Sequence, residues 1–120
     1  VPLMRALCLL VLAMLGPALP AWAHAALERA VPPVGSQVDQ PPRQVVLTFT
    51  EGVEPAFSTI ELRGAGGTAI ATGKPQSVNG NKRQLEVDLP ALAAGTYTVV
   101  WHATSVDTHK TEGSFQFTVH

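Results

Sequence analysis

Between residues 24 and 120, proline and glycine interrupt the chain so often that no long helix can form. Pro32-Pro33 with Gly35, Pro41-Pro42, Glu51-Gly52 with Pro55, Gly64 to Gly67, Gly73 with Pro75, Asn79-Gly80-Asn81, Pro90 with Gly95, and Gly113 divide it into short runs. Proline withholds a backbone donor and glycine tolerates turn geometries, so each cluster reads as a break. Between the breaks, Val45, Leu47 and Phe49 alternate with Val46, Thr48 and Thr50, and Leu85, Val87 and Leu89 alternate with Glu86 and Asp88. Ile60 and Leu62 do the same against Thr59, Glu61 and Arg63. A period of two in β-branched and aromatic residues predicts half-buried strands, about seven of them. The fold class is therefore all-β, a small antiparallel Greek-key sandwich or barrel of immunoglobulin-like or cupredoxin-like type.

Local detail favours the Greek key. "LAAGTY", Leu92 to Tyr97, has the Leu-x-x-Gly-x-Tyr form of a tyrosine corner, in which a phenol at a strand start bonds to the backbone upstream. The Cys-Trp-Cys core of antibody domains is absent. Tyr97, Val99, Trp101, Phe115, Phe117 and Val119 are predicted to point into the core, and Phe57 with them. Gly64 to Gly67 reads as a hairpin turn, and His120 as a frayed end.

Ahead of this domain, Leu3 to Leu19 is almost wholly apolar, has one early positive charge at Arg5, and is broken by Gly16 and Pro17. Ala21-Trp22-Ala23 then supplies a small-x-small cleavage pattern, so residues 1–23 read as a signal peptide. The apolar run is short for a bilayer span. Cleavage would leave a single domain, residues 24–120, beginning at His24, in an extracytoplasmic space such as the periplasm. Cys8, Met4 and Met14 all lie in the leader, so the remaining chain has no disulfide and no sulfur ligand. Its charge balance is about −2 with no basic cluster, which argues against nucleic acid as a partner.

The chemistry-bearing run is "WHATSVDTHK", Trp101 to Lys110. If this stretch is a strand, Asp107 and His109, two apart, project from one face. His102 has the opposite parity and is expected to face away. Asp-x-His alone is a weak signal, but His24 at a new N-terminus adds an amine and an imidazole that can chelate one ion. Amine, two imidazoles and a carboxylate form a nitrogen-rich, oxygen-completed set suited to tetragonal Cu(II), while Cu(I) would want the missing soft sulfur donors. Zn(II) accepts the same donors in tetrahedral form.

Two stretches, "HAALERAVPPVGSQVDQPPRQVVLTFTEGVEPAFSTIELRG" and "LPALAAGTYTVVWHATSVDTHKTEGSFQFTV", resemble the CopC family of exported copper-binding proteins. The likeness lies in the His-Ala-x-Leu start, the Pro-x-x-Gly turn at Pro32 to Gly35, the Leu-x-Phe-[Ser/Thr]-Glu strand ending at Glu51, the Glu-Pro-Ala-Phe-Ser segment, and the Ser-x-Asp-x-His-x-x-x-Gly run from Ser105 to Gly113. It implies a small β-barrel or sandwich and one Cu(II) held by His24, Asp107 and His109. It also implies that Glu51 stands behind these ligands or as a weak axial contact, and that a CopD-like inner-membrane copper transporter is the partner. The methionine-rich Cu(I) site of some members has no counterpart here.

Three functions follow as alternatives. The first is a monomeric, non-enzymatic copper carrier or buffer. The second is a copper oxygenase using an N-terminal histidine brace, disfavoured because a carboxylate ligand would occupy the position dioxygen needs. The third is an immunoglobulin-like interaction module in which the histidines are incidental.

Overall fold

The alternating runs pair into two stacked sheets in the computed structural model, which describes residues 24–120. The signal peptide expected over residues 1–23 lies outside the described residues. The strands are β1 (Leu27–Val31), β2 (Gln37–Val38), β3 (Gln44–Phe49), β4 (Thr59–Arg63), β5 (Ala69–Ile70), β6 (Gln76–Val78), β7 (Asn81–Asp88), β8 (Gly95–Thr104) and β9 (Lys110–Val119). One sheet has the order β1-β3-β7-β6 and the other β2-β9-β8-β4-β5. The expected all-β sandwich is thus what forms, with two-residue strands β2 and β5 too short for an alternation to announce them.

Because side chains alternate across a strand, one face of each sheet supplies the core. From the first sheet come Val45, Leu47 and Phe49, which are fully buried, facing Leu85 and Val87 in register on β7. The second sheet contributes Ile60, Leu62, Val99, Trp101, Phe115, Phe117 and Val119. The two layers meet where the Phe49 ring packs edge-on against Trp101, centroids 5.2 Å apart and planes at 72°. That arrangement suits the opposed charge of ring face and ring edge. Tyr97 stacks on Phe117 and donates its hydroxyl to the Ala93 carbonyl at 2.6 Å, so the tyrosine corner is present.

Three expectations differ from the structure. Phe57 is 72% exposed, because it closes a short 3-10 turn over Pro55–Phe57 that stands outside both sheets. Gly113 is not a break but lies inside β9 opposite Trp101, where a Cβ would come within 2.7 Å of the indole. The glycine is the space the tryptophan ring occupies. His120 is not frayed: β2 pairs in parallel with the end of β9, the His120 N–H donates to the Val38 carbonyl at 3.0 Å, and its ring meets Gln37 Oε1 at 2.9 Å. Among the described residues no helix is long and apolar enough to cross a membrane.

Candidate metal centre

Two segments from opposite ends of the chain meet at one end of the sandwich. The first is the run His24 to Ala26 that leads into β1. Its Ala25 side chain is buried at 1% exposure and acts as an apolar plug between the sheets. Thr111 on β9 donates its hydroxyl to the Ala25 carbonyl at 2.7 Å. From the other sheet, the Ala26 N–H donates to Thr50 Oγ1 at 3.0 Å, and the Thr50 N–H donates back to the Ala26 carbonyl at 2.9 Å. His24 is therefore held by its neighbours, one bonded to each layer.

The second segment is the turn joining β8 to β9. The Ser105 N–H donates to the His109 carbonyl at 2.8 Å and the Thr108 N–H to the Ser105 carbonyl at 2.8 Å. Closing so tight a loop puts Thr108 at φ 74, left-handed backbone that non-glycine residues seldom adopt. The Val106 N–H anchors the turn to the Gly52 carbonyl at 3.0 Å. Asp107 and His109 thus sit in a turn and not on a strand, and the pleat argument for their shared direction does not apply. They meet nonetheless, because the turn folds His109 Nδ1 to 3.1 Å from Asp107 Oδ2. His102, on β8 proper, is exposed as its parity required, with Nδ1 3.4 Å from Thr59 Oγ1 and Nε2 3.9 Å from Glu112.

Asp107 is the electrostatic focus of the turn. Its carboxyl is pulled from the usual 3.8 down to about 2, first by the Ser105 hydroxyl that donates to Oδ1. Partial desolvation works against this, and hydrogen bonds and charge from His109 add to it. The carboxylate is thus ionised at any ordinary pH.

The His24 and His109 rings lie face to face, centroids 4.6 Å apart and planes within 14°. His24, Asp107 and His109 are therefore brought together. Glu51 is exposed, one residue beyond Thr50, and among the described residues no hydrogen bond or ion pair joins it to Asp107 or His109. Stacked rings aim their nitrogens side by side and not at a common point, and no three such side chains converge as a formed metal cluster among the described residues. The donor chemistry nonetheless fits a divalent ion: two imidazoles and an ionised carboxylate, with Nδ1 and Oδ2 spaced at 3.1 Å. Two adjacent ligands on one metal, each at about 2.0–2.1 Å, are separated by about this span. Ser105 and Thr50 stand in runs that carry the family resemblance, but the holding roles of Ser105, Thr50 and Thr111 were not read from sequence: the partners of Thr50 and Thr111 are distant in the chain, and those of Ser105 depend on the turn. A groove of about 350 Å³ runs beside the site, bounded by Phe57, Thr59, His102, Lys110 and Glu112.

Fold and site together define a small two-sheet sandwich with a histidine-carboxylate cluster at one end. Residues 27–120 match the family described as the CopC domain, and the chain belongs to the CopC family. It is similar to "Protein YobA" of Escherichia coli, 41% identical over 99 residues that span 82% of this chain and 80% of that one. It is similar too to "Copper resistance protein C" of Escherichia coli, 33% identical over 113 residues spanning 88% and 89%. Among solved structures, CopC from Methylosinus trichosporium superposes with a TM-score of 0.76 at 35% identity, covering 80% of this chain and 93% of that one.

Proposed function

We propose that this protein is an exported carrier or buffer of Cu(II) in the periplasm, binding one ion per chain once the leader has been cut after Ala23. Membership of the CopC family and likeness to a relative named for copper resistance support the cargo. The observation that carries the reading is the meeting of His24 with His109 beside ionised Asp107. Cleavage would free the His24 amine, which with its own imidazole closes a chelate ring. His109 and Asp107 would supply an imidazole nitrogen and a carboxylate oxygen to the ion, and His24 its amine and imidazole, a donor set suited to tetragonal Cu(II). Glu51 remains outside the direct ligands, at the rim.

Transport fits this donor set better than catalysis. An anionic ligand fills a position that oxygen activation would need open, and a site of nitrogen and carboxylate donors holds copper in the cupric state. A CopD-like inner-membrane transporter is the proposed recipient, and the carrier works as a monomer. Titrating Cu(II) into protein beginning at His24 should give one equivalent and a nitrogen-rich tetragonal EPR spectrum. His109→Ala should abolish that spectrum; unchanged binding in this variant would refute the ligand assignment. Because the amine must lose its proton, affinity should fall as pH drops below about 8.

A further inference from the structure

Ser105 is 1% exposed, yet its hydroxyl is not spent on the core. It donates to Asp107 Oδ1 and lies 3.2 Å from the His109 carbonyl, while the Ser105 N–H donates to that same carbonyl. The His109 N–H also approaches Oδ1, at 3.4 Å. Both donors gather on one carboxylate oxygen, which leaves the other, Oδ2, turned toward His109 Nδ1. An antiparallel bridge to Val53 ties down the backbone of Ser105, so the hydroxyl is carried on a held segment of chain. A buried donor on held backbone, bonded to an exposed carboxylate, is the arrangement that sets ligand direction before an ion arrives.

Resting on the copper reading above, we infer that Ser105 is the positioning residue of the site: by occupying Oδ1 it presents Oδ2 and His109 Nδ1 to copper as a ready-made pair. Loss of the hydroxyl frees the Asp107 rotamer, so the ion must order the carboxylate as it binds. Supporting residues of this kind typically govern 10–100-fold of metal affinity.

The test is a double-mutant cycle on protein beginning at His24, with Cu(II) affinity read by competition against a chelator of known strength and the spectrum by EPR. Ser105→Ala should weaken binding by about 10–100-fold and broaden or shift the EPR signal, and Ser105→Thr, which keeps the hydroxyl, should restore much of the affinity. In an Asp107→Asn background, Ser105→Ala should cost about 2-fold or less, because the group it positions has changed. Ser105→Gly, which also lacks the hydroxyl and brings no new copper ligand, should reproduce the loss and serves in place of the alanine variant if that one folds poorly. Equal losses in both backgrounds would mean that Ser105 only supports the fold, and undiminished affinity in Ser105→Ala would also overturn the inference. Failure of the unsubstituted protein to bind Cu(II) would instead overturn the copper reading beneath it.

Discussion

Asp107 shows how one side chain can link the fold to the site. Its folded-state pKa of about 2 lies below the usual 3.8, chiefly through the Ser105 hydroxyl. A depressed carboxyl stabilises the folded state above the unfolded pKa and loses that contribution as pH falls through the folded one. Between about pH 4 and 2, the unfolding free energy of the metal-free protein should therefore drop less steeply in Asp107→Asn than in the unsubstituted chain. Denaturant titrations at a series of acid pH values measure this, and parallel slopes would contradict it. The sequence pairs Asp107 with His109 correctly but for an inapplicable reason, since strand parity has no force in a turn. What joins them is the left-handed Thr108 and the bonds from Ser105, neither of which a spacing rule contains.

The β8–β9 hairpin is the element that carries most of this. It pairs without a break from Gly95 opposite Val119 to Thr104 opposite Lys110, and it places the turn against the Gly52 loop. Inside it, Gly113 makes room for the Trp101 indole. Gly113→Ala should push the ring from its contact with Phe49 and cost about 1–3 kcal/mol, the usual penalty for overpacking. A lower denaturant midpoint at constant m-value would report it, and an unchanged midpoint would show that the hairpin absorbs a methyl group freely. From sequence, that glycine looks like punctuation, because the reason for it is a ring on the neighbouring strand. Thr111, two residues before it, holds Ala25 and so the approach of His24. Thr111→Val removes the hydroxyl at nearly constant shape and should lower stability by about 0.5–1.5 kcal/mol. Copper affinity should fall several-fold with it, measurable on the same sample; full affinity would mean that His24 does not depend on this clamp.

At the scale of the whole molecule, the two sheets were legible because period-two alternation and Pro-Gly breaks report directly on burial. Val45, Leu47 and Phe49 are buried as that pattern required. The exposed position of Phe57 and the parallel β2–β9 pair were not legible, since each depends on a loop conformation and not on a pattern. The proposed copper site spans the sandwich: His24 leads into one sheet, while Asp107 and His109 belong to a hairpin of the other. An ion bound there would tie the layers together and stabilise the folded state alone. Free Cu(II) at about 100 times its Kd should raise the unfolding free energy by about 2.7 kcal/mol, a shift in Tm on the order of 10 °C or more for a domain of this size. Calorimetry with and without the ion checks this, and His109→Ala should lose the shift. The most direct measurement compares EPR spectra of one equivalent of Cu(II) on two forms of the protein, one beginning at His24 and one retaining a residue before it. The account predicts a nitrogen-rich tetragonal signal of high affinity in the first and a weaker, altered signal in the second. Identical spectra and affinities would show that the His24 amine is not a ligand, and the proposed site would have to be given up.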